Sequence, residues 1–201
     1  MIFFTNKPMK KTLLRIALYF AAAGMIPSWC HAQEMAVPID VQYLIFMKIL
    51  GFDRNLDLAS QAELRIGVIF QTKFNESLRT KELFIETAQK NQSIKVNNRQ
   101  VILVPLEVAE RDGVEKAIRD AGVSVLYVTP LRAFNIKDIT AIARANKIVT
   151  LTGVPAYVSL GIAMGLDVKG DKPQILVNLA AAKAEGMNLS SQMLKLTKII
   201  D

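Results

Sequence analysis

The chain has 201 residues, 51 % of them apolar, and a formal charge of +7. That length fits one domain with a core of ordinary size. Lys7, Lys10, Lys11 and Arg15 all precede the first acid, Glu34, so residues 33–201 carry only +3. A mixed-charge domain of that balance, without aromatic–basic alternation, lacks the footprint of a nucleic-acid binder.

Met9 to Arg15 is a basic n-region, and Ile16 to Ile26 is an apolar run of eleven residues. Pro27 ends any helix there, and Cys30 and Ala32 place small residues at −3 and −1 of a cleavage site. Eleven residues are too few to span a bilayer, which takes about 20. The expectation is a cleavable signal peptide over 1–32, cut between Ala32 and Gln33, with translation starting at Met9. A periplasmic α/β domain over 33–201 follows. Trp29, Cys30 and His31 are the sole tryptophan, cysteine and histidine in the chain, and all three would leave with the peptide. The run Pro27-Ser28-Trp29-Cys30 does not fit a lipid-attachment box, so a soluble exported protein is expected. No later apolar stretch reaches transmembrane length; the longest is Ile175 to Ala182.

Val37 to Leu50 reads as an amphipathic helix, with Val41, Leu44, Ile45, Ile49 and Phe52 at three- and four-residue steps. Gly51 ends it, and Phe52-Asp53-Arg54-Asn55 makes a turn. Leu64 to Phe70 is a strand buried on both faces. A helix spans about Asn75 to Gln89. Ile94 to Val96 and Gln100 to Leu106 are strands joined at Asn97-Asn98, since Asn tolerates positive φ. Glu110 to Ala121 is a helix stopped by Gly122. Val123 to Thr129 is a strand stopped by Pro130. Asn135 caps the next helix, Asp138 follows three residues later, and Phe134 is placed to pack on Ile139. Lys147 to Thr152 is a strand.

Alternation of strand and helix from Leu64 to Thr152 predicts an α/β domain, mostly a parallel sheet flanked by helices. Beyond Pro155 the pattern changes. Ser159 to Val168 and Gln174 to Val177 read as a C-terminal β-hairpin around residues 169–173. Two short helices, about Asn178 to Glu185 and Ser190 to Ile200, close the chain.

Without His and Cys, residues 33–201 cannot build a Ser-His-Asp triad, a cysteine nucleophile or a thiolate zinc site. Asp167 and Asp171, and Glu107 and Glu110, fit no calcium loop and read as surface acids. There is no phosphate-cradling glycine motif. No catalytic residue, cofactor or metal is expected. Thr152 and Gly153 end a strand, where α/β sheets bind ligands; the plainer reading is a turn. Asn178 reads as a helix N-cap, with a ligand contact as the sharper alternative. Phe52, Asp53 and Arg54 are a candidate partner-facing knob, because Phe and Arg favour interface hot spots. In the plainer reading Phe52 closes the core and the other two form a surface turn.

Ile175 to Lys183, Gly186, and Ser190 to Leu196 resemble the ending of the YfiR family: an Asn-led helix, a short turn, then a Ser-initiated, leucine-rich helix. Val123 to Val128 is similar to the family's middle strand. The resemblance implies a non-catalytic periplasmic regulator. Its partner would be the periplasmic part of an inner-membrane diguanylate cyclase or sensor kinase. Repression of a cyclase would lower cyclic-di-GMP and restrain biofilm, and a homodimer is compatible with this. Two departures stand out. The family commonly carries Trp-Pro after the first helix, where this chain has Phe52-Asp53. Some members have disulfides, and residues 33–201 contain no cysteine. The alternative function is a small-molecule binding module resembling one lobe of a solute-binding protein.

Overall fold

The computed structural model describes residues 35–57, 62–108 and 113–200. The expected cleavage site at Ala32 and Gln33, and Glu110 at the expected start of a helix, lie outside these residues. Eight strands form one sheet among them: β1 Glu63–Phe70, β2 Lys95–Val96, β3 Arg99–Glu107, β4 Val125–Val128, β5 Val149–Thr152, β6 Met164–Lys169, β7 Lys172–Asn178 and β8 Thr197–Ile200. The order across the sheet is β2-β3-β1-β4-β5-β6-β7-β8. The centre, β3-β1-β4-β5-β6, is parallel throughout. β2 runs antiparallel to β3, β7 antiparallel to β6, and β8 parallel to β7.

The helices are α1 Ile39–Leu50, α2 Arg54–Asp57, α3 Asn75–Lys90, α4 Val114–Ala121, α5 Ile136–Asn146, α6 Pro155–Ser159, α7 Leu179–Ala184 and α8 Ser191–Leu194. The strand period of two sends alternate side chains to opposite faces, so each central strand feeds two cores. Val125 and Tyr127 of β4 join Leu64, Ile66 and Val68 of β1 under α1 and α3. Leu126 and Val128 join Ile118 of α4 and Ile139 and Ala143 of α5 on the other face. This explains why β1 and β4 read as mostly apolar runs.

α1 is fastened at the centre of its face. Phe84 of α3 stacks on Tyr127 with ring centres 3.9 Å apart, and Tyr43 of α1 meets Phe84 edge-on at 5.3 Å. Gln42 is fully buried; its Oε1 accepts from the Tyr127 hydroxyl at 2.8 Å, and its Nε2 donates to Val37 O at 2.7 Å. The Gln42 amide lies against Gly153, where a side chain would overlap it. Gly153 is therefore a close-approach glycine that seats α1.

Local signals held where the sequence supplied them. Asn97 and Asn98 have φ of 49° and 62°. Asn135 Oδ1 accepts from Lys137 N at 3.1 Å. Phe134 packs on the core that contains Ile139. After Pro155 the structure differs from expectation. Proline sits in the first turn of α6, so Ser159 ends a short helix and β6 begins only at Met164. The last expected helix is a single turn, α8, followed by strand β8. Leu196 and Ile199 are 74 % and 47 % exposed, so apolar spacing there reports an edge strand and not a buried helix face.

Candidate functional site

The chain leaves β1 towards β3 through α3, then crosses back to β4 through α4. The carboxyl ends of β1 and β4 are therefore a topological switch point, the place where open α/β sheets leave a crevice. A cleft of about 280 Å³ lies there, lined by the β1–α3 loop (Gln71 to Phe74), the end of β3 (Glu107) and the β4–α5 loop (Arg132).

Its walls are held by reciprocal bonds. Gln71 Oε1 accepts from Arg132 N at 2.7 Å, and Gln71 Nε2 donates to Arg132 O at 3.1 Å. Beneath them Ser77 Oγ accepts from Gln71 N at 2.9 Å and lies 2.6 Å from Thr129 Oγ1, which donates to Ile69 O at 2.8 Å. The Arg132 guanidinium sits 4.8 Å from the Phe74 ring centre, a cation–π contact. Arg132, Lys73 and Glu107 are exposed at the rim. The cleft thus offers two cations, an aromatic face and a carboxylate among its lining residues.

The expected ligand residues lie elsewhere. Thr152 is fully buried; its hydroxyl donates to Val128 O at 2.9 Å and accepts from Val154 N at 3.1 Å. Gly153 is covered by Gln42. Asn178 caps α7, accepting from Ala181 N at 2.9 Å, and donates to Val158 O at 3.2 Å. All three fasten the frame, and none lines the cleft.

The knob residues divide. Phe52 is 49 % exposed and Arg54 is exposed, but Asp53 is 1 % exposed. This corrects the expectation that all three face outwards, and also the plainer one in which Phe52 closes the core. Asp53 Oδ1 accepts from Asn55 N and Asn188 N, each at 3.0 Å, and Asp53 bridges to Leu189. Arg54 N donates to Asn188 O at 3.3 Å, and Asn55 Nδ2 donates to Gly186 O at 2.6 Å. The carboxylate is a staple that fixes how Phe52 and Arg54 are presented.

Sequence reasoning passed over Gln71, Arg132, Gln42 and Glu185. Each has its role through partners distant in the chain. The one available signal was the β1–α3 loop itself, since a first strand followed by a polar turn and a helix marks a switch-point edge.

With this geometry in place, a comparison with known families is decisive. The YfiR/HmsC-like family model matches residues 40–198. The chain belongs to the YfiR/HmsC-like family. That family is one of periplasmic, regulatory, non-catalytic proteins in cyclic-di-GMP signalling. Among the described residues of this YfiR/HmsC-like chain, no helix is long and apolar enough to cross a membrane.

Solved structures share the fold at low identity. A conserved domain protein from Vibrio cholerae O1 biovar El Tor aligns with TM-score 0.58 at 15 % identity, over 82 % of this chain and 60 % of that one. An ABC domain from Streptococcus pneumonia in complex with L-Trp aligns with TM-score 0.59 at 11 % identity, over 82 % and 62 %. A ligand-free, open substrate-binding protein with adhesive properties from Clostridium difficile aligns with TM-score 0.54 at 21 % identity, over 82 % and 60 %. The chain spans about three fifths of each. No curated protein matches it.

Proposed function

We propose that this protein is exported by cleavage between Ala32 and Gln33 and acts in the periplasm by binding a membrane-bound signalling enzyme. In its sharpest form it represses a diguanylate cyclase, lowering cyclic-di-GMP and biofilm. Family membership over residues 40–198 carries this reading. The stapled turn supports it: an aromatic and an arginine stand exposed on a backbone fixed by a buried carboxylate, the residue types that anchor interfaces. Phe52 and Arg54 are the proposed contact, with Asp53 positioning them. Co-purification of a membrane-bound cyclase or sensor kinase with the wild-type protein, lost in Phe52→Ala/Arg54→Glu, is the expected result. Equal capture by both would remove this surface from the proposal.

A second reading is favoured by the switch-point cleft. A small molecule carrying a carboxylate and an amine would place them towards Arg132 and Lys73 and towards Glu107, with Phe74 alongside. The neighbour bound to L-Trp makes amino acids the first compounds to try. A thermal-shift screen with amino acids and nucleotides is expected to give a shift that Arg132→Ala abolishes. No shift with any compound would leave regulation by protein contact alone.

A further inference from the structure

Glu185 follows α7 and is 1 % exposed. The sheet holds its carboxyl from one side. Thr150 N donates to Oε2 at 2.7 Å, and the Thr150 hydroxyl lies 2.9 Å from Oε1 and 3.0 Å from Oε2. The same hydroxyl accepts from Ala163 N at 2.8 Å, just before β6. One carboxyl therefore ties the end of α7 to β5 and to the entry of β6.

The charged groups around it come from α5 and from α7 itself. Arg144 faces it from α5, and one guanidinium nitrogen of Arg144 also donates to Gly161 O at 3.2 Å. Lys147, just past α5, donates from Nζ to Ala184 O at 2.9 Å. Lys183 of α7 is exposed. β5 and the start of β6 contribute Thr150 and Ala163, which carry no charge.

The chain beyond Glu185 is the support for the stapled turn. Gly186 takes φ of 92°, a left-handed value that sets the exit direction. Gly186 O then receives Asn55 Nδ2, Asn188 O receives Arg54 N, and Asn188 N donates to Asp53. Glu185 is one residue from this set of contacts.

We propose that Glu185 is a protonation latch on the turn that presents Phe52 and Arg54. As a neutral acid it sits buried at little desolvation cost and holds the end of α7 against β5. As a carboxylate it keeps the Thr150 donors but carries a charge out of water, which only exposed Arg144 offsets in part. Moving the charge towards solvent unclamps the end of α7 and loosens the turn that hangs on it. Burial first of all pushes the Glu185 carboxyl up, to about 8, against the Thr150 hydrogen bonds and Arg144, which pull it down. The link to regulation rests on the proposed partner-facing turn; the latch itself does not.

The test is a side-chain carboxyl NMR titration between about pH 3 and 9, with amide exchange between about pH 6 and 9. The expected result is titration of Glu185 far above the ordinary carboxyl range. With the same midpoint, protection at Arg54 N, Asn55 N and Asn188 N should fall about tenfold more than intrinsic exchange accounts for. In Glu185→Gln, whose amide stays neutral, that protection should stay flat. Titration of Glu185 in the ordinary range overturns the latch. Titration near 8 with unchanged protection overturns the coupling to the turn. The wild-type titration decides the first point even where the variant folds poorly. Thr150→Val, which removes the hydroxyl clamp, then serves for the second: low protection at every pH supports the coupling, and wild-type protection refutes it. None of these readouts involves the partner, so failure of the latch and failure of the proposed regulation are distinguishable.

Discussion

Asp53 and Glu185 are two buried carboxyl groups with opposite consequences. Asp53 accepts two backbone N–H groups, from Asn55 and Asn188. Removing it takes the acceptor from two part-buried donors, at about 1–3 kcal/mol each. Asp53→Ala is expected to lose about 2–4 kcal/mol in urea unfolding, and Asp53→Asn, which keeps an acceptor, clearly less. Glu185 contributes a pH slope. Its folded value, raised to about 8 from an ordinary 4.5, means that the native state binds the proton more tightly than the unfolded chain. The contribution of Glu185 to stability is therefore full below about pH 4.5 and is lost as pH rises to about 8. Glu185→Gln should flatten that slope and exceed the wild type near pH 8, by an amount on the order of a few kcal/mol. Parallel slopes for the two proteins would refute the assignment.

Among the elements, α1 is the piece whose placement depends most on single atoms. Its buried Gln42 bonds Tyr127 of β4 and lies on Gly153 after β5. A methyl group at Gly153 would overlap the amide, so Gly153→Ala should cost about 1–3 kcal/mol, the usual range for overpacking. The cost should shrink in a Gln42→Ala background, because the overlapping group is gone; thermal unfolding of the double-mutant cycle measures this coupling. Equal costs in the two backgrounds would show that Gly153 does not seat the helix. Much of this scale was legible in the sequence. Asn97-Asn98, Asn135 and Asn178 announced a turn and two caps because their roles are local. The buried partners were not legible. Gln42 meets Tyr127 across 85 positions, Glu185 meets Thr150 across 35, and Asp53 meets Asn188 across 135. A polar residue inside an amphipathic pattern looks solvated until the fold supplies its partner. β8 was misread for a related reason: Leu196 and Ile199 are apolar but exposed, so their spacing carried no information about a buried face.

At the scale of the molecule, one sheet presents two separate features. The carboxyl ends of β1 and β4 hold a cleft with Arg132, Lys73 and Glu107 at its rim. The turn after α1, stapled to the segment after α7, holds Phe52 and Arg54 outwards. The exposed pair belongs to neither hydrophobic core, so Phe52→Ala/Arg54→Glu should change unfolding free energy by less than about 1 kcal/mol while weakening partner capture. The most direct measurement is intracellular cyclic-di-GMP in a strain lacking the gene and then complemented. Cyclic-di-GMP should rise on deletion, return to the starting level with the wild type, and not return with Phe52→Ala/Arg54→Glu at equal protein abundance. Unchanged cyclic-di-GMP on deletion would contradict repression of a cyclase.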